Sequence, residues 1–148
     1  MTSSRAPRIL LIEDEPGDAR LMQLALQKAG LPIEFHCVHD GNEALRFLTR
    51  QGTAFPDAPR PDLILLDLKM PGKGGLDTLL AIKLNDALRA IPVVVVTTST
   101  LESDIAAAYR LGAAGYVPKT ADLRTFNAAI ETLCTYWCKL VRLPEMQN

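Results

Sequence analysis

Two runs of large aliphatic residues, each followed at once by acidic residues, constrain the fold of this chain most strongly. One run covers residues 63–66 and leads into Asp67, and the other covers residues 8–12 and leads into Glu13 and Asp14. Unbroken aliphatic runs are typical of strands buried on both faces, as in a parallel sheet covered by helices. The carboxyl ends of such strands face the crevice where ligands bind, so these acids indicate a site. For Asp67 considered alone, capping of the following loop would be the better interpretation.

Strand patterns and helix patterns alternate along the chain. Strands are predicted at residues 8–12, 33–38, 63–66, 91–96 and 115–117. Amphipathic helices are predicted at about 18–29, 43–48, 76–83, 102–111 and 122–140. This alternation predicts an α/β fold in which right-handed crossovers place five helices on the two faces of one parallel sheet. With five strands we favour a flavodoxin-like, doubly wound sheet in the order 2-1-3-4-5.

The last predicted helix is longer than the stretch that one face of a sheet usually covers. Its apolar stripe continues through Trp137 to Val141. Two interpretations stay open at this point. Part of the stripe protrudes and packs against another molecule, or Trp137 folds back onto the core of its own domain.

Composition excludes several classes of protein. A chain of 148 residues with 48% hydrophobic content fits a single domain, which we place at residues 8–143 between a polar leader, 1–7, and a tail, 144–148. A net charge of -1 without a basic run argues against direct nucleic-acid binding. The absence of a long apolar segment or a secretory signal argues against a membrane protein and favours the cytoplasm. Three cysteines without a CxxC motif imply neither a disulfide framework nor a zinc site.

The predicted strand order brings several polar side chains to one crevice. Strands 1 and 3 are neighbours in it, so Glu13, Asp14 and Asp67 should lie close together. Carboxylates this close must take up protons or bind a cation, and an all-oxygen set suits Mg²⁺. Thr97 ends strand 4 and Lys119 follows strand 5. A hydroxyl and an ammonium opposite the acids suit an anion beside the metal, and a phosphoryl group fits best.

Asp67 is the central acid of this set and can act as a carboxylate nucleophile toward phosphorus. Phosphoryl transfer needs mainly alignment and charge neutralisation, which a metal and a lysine supply. We keep two rival functions open. A phosphohydrolase with Asp67 as nucleophile typically has a second Asp two residues later as general acid, but Lys69 stands there. The other rival is a binding scaffold that is never phosphorylated.

These residues resemble the receiver domain of two-component response regulators over nearly the whole chain. Five site positions of that family are occupied in order by Glu13, Asp14, Asp67, Thr97 and Lys119, and Met70-Pro71 follows the phosphoacceptor as in the family. The resemblance implies a signalling module, not an enzyme, with at most slow self-dephosphorylation.

The resemblance also assigns a role to each residue. It implies that Asp14, Asp67 and the backbone carbonyl of Lys69 hold Mg²⁺, with Glu13 acting through a metal-bound water. Asp67 would take phosphate from a sensor histidine kinase, and Thr97 and Lys119 would contact the phosphoryl oxygens. Tyr116 would be the aromatic switch, turning inward when Thr97 is drawn toward the phosphate. Packing of Tyr116 at the sheet edge is the alternative.

Within the family the chain resembles the single-domain regulators of bacterial and cyanobacterial phytochromes. The segments that suggest this are the loop 14–18, the proline-rich insert 54–62 and the tail 136–144. This resemblance implies a bacteriophytochrome-type kinase as partner, and a homodimer formed through the last helix.

Three residues depart from the receiver pattern. Thr120 stands where receivers usually have a proline in a cis Lys-Pro bond, and a non-proline cis bond costs about 3 kcal/mol, which puts the placement of Lys119 in doubt. Lys69 puts a long cation two residues past Asp67, where it pairs with an acid, shields the acyl phosphate or points into solvent. Thr98 is bulkier than the residue usual at its position, and we expect it to narrow access to the site and to slow hydrolysis.

Overall fold

A computed structural model of the chain describes residues 5–51, 55–70, 72 and 74–144. The predicted leader (1–7), proline-rich insert (54–62) and tail (144–148) lie partly outside the described residues, and Pro71 lies outside them. Strands and helices alternate along the chain, in the order β1 (Arg8–Ile12), α1 (Pro16–Lys28), β2 (Glu34–Val38), α2 (Gly41–Thr49), β3 (Leu63–Leu66), α3 (Gly75–Leu84), β4 (Val93–Thr97), α4 (Glu102–Arg110), β5 (Gly115–Pro118) and α5 (Leu123–Thr135), followed by a π-helical turn (Tyr136–Leu140).

The strands form one parallel sheet in the order β2-β1-β3-β4-β5, which confirms the predicted flavodoxin-like topology. The three central strands are buried along almost their whole length, as their aliphatic runs predict. The two edge strands are only partly buried. Successive side chains of a strand point to opposite faces, so the central strands contribute to two apolar layers. One layer packs under α2, α3 and α4, and the other under α1 and α5.

Helix α1 begins two residues earlier than predicted. Pro16 occupies the first helical position, where a residue without an N–H is tolerated and its fixed φ favours the helix. Glu15 caps this end, because its carboxylate accepts hydrogen bonds from the N–H groups of Gly17 and Asp18. Asp18 therefore lies inside the first turn of the helix instead of starting it.

The last helix ends in a π-helical turn rather than continuing as a regular α-helix to residue 140. The partly buried Trp137 and Cys138 pack against the layer under α1 and α5. The structure thus favours the interpretation in which Trp137 folds back onto its own domain. Tyr136 and Leu140, in the same turn, are exposed.

Two expectations from composition can be compared with the described residues. None of their helices has the length and apolar character needed to cross a bilayer. Cys37, Cys134 and Cys138 are free thiols, with Cys134 buried and the other two partly buried. Burial raises the pKa of the Cys134 thiol to about 12, so this group behaves as a small apolar side chain.

Candidate functional site

Three carboxylates meet where β1 and β3 end, as the strand order predicts. Ile12 pairs with Leu66 in the sheet, and the N–H of Asp67 continues the pairing by donating to the carbonyl of Ile12 at 3.1 Å. Glu13, Asp14 and Asp67 each offer an oxygen, and these oxygens all lie within 4.8 Å of one another. Glu13 and Asp67 are buried, whereas Asp14 is partly exposed.

Several observations on this cluster suit a divalent cation. The donors are all carboxylate oxygens, which is the chemistry that Mg²⁺ and Mn²⁺ accept. Burial raises the pKa of Glu13 from 4.5 to about 7; Lys119 opposes this rise and the charge of Asp67 adds to it. Burial disfavours the ionised form of Glu13, and a bound cation would stabilise that form. The predicted backbone ligand, the carbonyl of Lys69, stays a prediction, and the Lys69 side chain is exposed.

The ammonium group of Lys119 lies against the acidic cluster. Its Nζ donates to Oε1 of Glu13 at 2.5 Å and to Oδ2 of Asp18 at 3.0 Å, and it lies 3.6 Å from Oδ2 of Asp67. Burial alone would lower the pKa of Lys119, but the hydrogen bonds to Glu13 and Asp18 and the charge of Asp67 together raise it. Lys119 therefore stays charged at neutral pH and neutralises part of the cluster.

The replacement of proline by Thr120 does not keep Lys119 out of the site. The Lys119–Thr120 peptide bond is trans. The N–H of Lys119 donates to the carbonyl of Thr97 at 2.7 Å, which fixes the start of the loop against the end of β4. The lysine side chain thus reaches the carboxylates without the cis bond that is usual in receivers.

Asp18 contacts the site, and it is not among the candidate residues selected from the sequence. The sequence predicts a helix that begins at about this residue. The structure begins α1 at Pro16, and the resulting turn directs the carboxylate of Asp18 toward Lys119. The signal that could have found Asp18 is the proline at the first helical position.

Thr97 and Tyr116 belong to β4 and β5, on the other side of β3 from β1. Thr97 is fully buried at the end of β4. Tyr116, on the edge strand β5, packs partly buried against the layer under α2, α3 and α4. Its hydroxyl donates to the carbonyl of Ser99 in the loop after β4, at 2.9 Å. Tyr116 therefore already points inward, whereas the resemblance implies this orientation after phosphorylation. Thr98 is exposed.

Comparison with known proteins decides which family has this site. Residues 9–131 of the chain match the family described as "Response regulator receiver domain". The chain belongs to the response regulator receiver domain family. The resemblance drawn from the five site positions is thereby confirmed.

Relatives and solved structures agree with this receiver domain over nearly its full length. Response regulator Rcp1 of Synechocystis sp. is 40% identical over 136 residues, which are 92% of this chain and 92% of that protein. A crystal structure of the Mn²⁺-bound form of Rcp1 superposes with a TM-score of 0.87 and 40% identity, covering 94% of this chain and 99% of the other.

A second solved structure extends the resemblance to phytochrome regulators. It is the phosphorylated cyanobacterial phytochrome response regulator RcpA, with a TM-score of 0.89 and 40% identity, covering 95% of this receiver domain and 100% of the other chain. The predicted similarity to regulators that work with phytochromes is therefore confirmed.

Proposed function

We propose that this receiver domain, formed by residues 8–143, accepts a phosphoryl group on Asp67 from a sensor histidine kinase. One observation carries the proposal. Asp67 ends a central strand beside two other carboxylates, and the ammonium group of Lys119 lies 3.6 Å from its Oδ2. A nucleophilic carboxylate, oxygen ligands for a metal and a fixed cation are the parts that phosphoryl transfer needs.

The transfer itself exchanges one bond for another. An oxygen of the Asp67 carboxylate attacks the phosphorus of a phosphohistidine, the P–N bond breaks, and the imidazole of the kinase leaves. The product is an acyl phosphate on Asp67. No general base is needed, because the attacking oxygen carries no proton.

The metal expected here is Mg²⁺, which would neutralise charge on the phosphoryl oxygens and help to align them. Asp14, Asp67 and the backbone carbonyl of Lys69 would hold it, with Glu13 acting through a metal-bound water. The donor set fits, because the carboxylate oxygens already lie within 4.8 Å of one another. Mn²⁺ in the Rcp1 structure supports a divalent cation at such a site.

Two neighbouring side chains complete the response. Lys119 would exchange its contacts with Glu13 and Asp18 for a phosphoryl oxygen on Asp67, and the hydroxyl of Thr97 would be drawn toward the same group. Tyr116 would report the change, because its hydroxyl is bonded to the loop that follows Thr97. The signal leaves the domain as altered protein contacts.

The proposal is tested by incubating the protein with Mg²⁺ and acetyl phosphate and measuring its intact mass. We expect one phosphoryl adduct in the wild type, none in Asp67→Asn and none when a chelator removes the metal. Asp57→Asn is the matched control, because Asp57 is an exposed aspartate of the loop before β3. Lack of an adduct in the wild type would favour an unphosphorylated scaffold. Rapid turnover of several phosphoesters would favour a hydrolase.

We further propose that the kinase is of the bacteriophytochrome type and that the two proteins meet in the cytoplasm. The likeness to the phytochrome regulator RcpA supports this choice. A purified phytochrome kinase, phosphorylated with labelled ATP, should transfer its label to this protein faster than a histidine kinase with an unrelated sensor does. Equal initial rates from both kinases would contradict the proposed pairing.

Assembly into a homodimer through the last helix is a separate proposal. It is supported by the exposed side chains of the π-helical turn, above all Leu140, which is 70% exposed. Leu140→Asp should convert a dimer into a monomer in light scattering at micromolar concentration. Leu84→Asp is the matched control, because Leu84 ends α3 and is 74% exposed. A wild-type protein that is monomeric under these conditions would contradict the proposal.

A further inference from the structure

Ser99 uses every one of its polar groups in the loop between β4 and α4. The residue is buried, with 4% of its surface exposed. Its N–H donates to Oγ1 of Thr97 over a long 3.5 Å, and its carbonyl accepts from the hydroxyl of Tyr116 at 2.9 Å. Its own hydroxyl accepts from the N–H of Leu101 at 3.3 Å and donates to Oδ2 of Asp104 at 2.5 Å. One serine therefore joins Thr97, Tyr116 and the start of α4.

The start of α4 explains why the Ser99 hydroxyl is needed. The N-cap residue of this helix is Leu101, which has no side-chain oxygen. In a capping box, an acidic side chain in the first turn accepts directly from the N–H of the N-cap residue. Here Asp104 occupies that position in the first turn, and the Ser99 hydroxyl lies between the two groups. The cap of α4 is thus built from a residue outside the helix.

We propose that Ser99 is a positioning residue that couples Tyr116 to the first turn of α4 through Asp104. This inference rests on the proposed role of Tyr116 as a switch. The backbone of Ser99 holds Tyr116 while its side chain holds the helix. A shift of this residue therefore moves both partners together.

The coupling gives the phosphorylation site a direct route to α4. When Thr97 moves toward a phosphoryl group, its hydroxyl leaves the N–H of Ser99, and the loop is free to readjust. The carbonyl that receives the Tyr116 hydroxyl and the hydroxyl that caps α4 belong to the same residue. The first turn of the helix and the aromatic ring should respond as one unit.

The test uses substitutions that remove one group at a time. Ser99→Ala deletes the hydroxyl but keeps the carbonyl to which Tyr116 is bonded. Asp104→Ala deletes the acceptor, while Asp104→Asn retains an oxygen that can accept from Ser99. Ser103→Ala is the matched control, because Ser103 is an exposed serine in the first turn of the same helix. Melting curves establish that each variant is folded.

Two readouts are taken on the unphosphorylated protein. Hydrogen exchange followed by mass spectrometry measures the opening of residues 99–105. The carbon-13 ring signal of Tyr116, assigned with Tyr116→Phe, reports whether the ring keeps its inward position. Loss of a hydrogen bond to a charged group should raise the equilibrium constant for local opening by about tenfold or more. We expect exchange to be about tenfold faster in Ser99→Ala and Asp104→Ala, with the Tyr116 signal shifted in both.

Ser103→Ala should leave both readouts close to the wild type, and Asp104→Asn should shift them less than Asp104→Ala does, because the amide oxygen keeps an uncharged hydrogen bond to Ser99. Faster exchange in α4 with an unchanged Tyr116 signal would mean that Ser99 only caps the helix, and this would overturn the coupling. No change in either readout would overturn it too. If Ser99→Ala does not fold, the partly exposed Asp104 carries the same test.

Phosphorylation is measured separately by the mass of the acetyl phosphate adduct. A shift of both readouts in a protein that never forms the adduct would leave the coupling intact and refute the phosphoacceptor function. A normal adduct together with unchanged hydrogen exchange and an unchanged Tyr116 signal in the variants would support the phosphoacceptor function and refute the coupling.

Discussion

Glu13 makes the stability of the metal-free domain depend on pH in an unusual direction. The side chain is 2% exposed, and burial raises its pKa from 4.5 to about 7. In the unfolded chain the pKa returns to about 4.5, so between these two values the folded state binds more protons than the unfolded state. By linkage, stability then falls as pH rises. The favourable contribution of the protonated group is fully present below pH 4.5 and is lost as pH rises through 7.

The size of the effect follows from the two pKa values. Each pH unit between them corresponds to about 1.4 kcal/mol, so the whole window corresponds to about 3 kcal/mol in the free energy of unfolding. Other groups of the chain titrate in the same range, and the contribution of Glu13 must therefore be isolated by substitution. Glu13→Gln keeps the shape of the protonated acid and cannot ionise.

The assay is urea unfolding in the presence of a chelator at about pH 5 and about pH 8. Between these two conditions the wild type should lose roughly 2–3 kcal/mol more stability than Glu13→Gln does, because the assay starts half a pH unit inside the window. Glu102→Gln is the control, since Glu102 is exposed in the first turn of α4, and its pH dependence should follow that of the wild type. Parallel profiles for the wild type and Glu13→Gln would refute the reasoning.

Mg²⁺ provides a second test of the same acid. A ligand that binds the folded state alone stabilises it by about 2.7 kcal/mol when present at 100 times its dissociation constant. Because an ionised Glu13 favours the cation, the stabilisation by a fixed Mg²⁺ concentration should be larger at about pH 8 than at about pH 5. Glu13→Gln should show a weaker stabilisation without this pH dependence. Equal stabilisation of the wild type at both pH values would contradict the assignment of Glu13 to the metal site.

Two further substitutions test contacts around the same crevice. Asp18→Asn should lower the pKa of Lys119, because a hydrogen bond from that lysine to an ionised acid is lost; a nitrogen-15 NMR titration of the lysine side chain that shows no change would exclude the contact. Gly75→Ala should destabilise the fold by roughly 1–3 kcal/mol, because its Cβ would lie 2.4 Å from the backbone of Leu68. Gly74→Ala, whose Cβ would meet no atom of the described residues within 4 Å, should cost less in the same urea experiment.

The sheet and the acidic cluster could be predicted because they depend on short-range patterns. The aliphatic runs before Glu13 and Asp67 identify strands buried on both faces, and the strand order then brings their ends together. The order follows from the alternation of strands and helices, which leaves few topologies. These features need no knowledge of side-chain geometry.

The contacts of individual side chains could not be predicted in the same way. The sequence places Lys119 near several acids, but only the folded backbone shows that it pairs with Glu13 and Asp18 as well as facing Asp67. The link from Ser99 to Asp104 crosses a loop whose conformation is set by tertiary packing. No periodic pattern encodes such a link.

The sheet also separates the apolar layer that contains Tyr116 from the layer that contains Trp137. Tyr116 packs on the apolar layer under α2, α3 and α4, whereas Trp137 of the last helix packs on the layer under α1 and α5. The two layers are built from alternate residues of the same strands, so their side chains lie on opposite faces of the sheet. Selection could therefore alter the proposed switch and its helix without rebuilding the opposite surface, and new assemblies could evolve there while the proposed response to phosphate is kept.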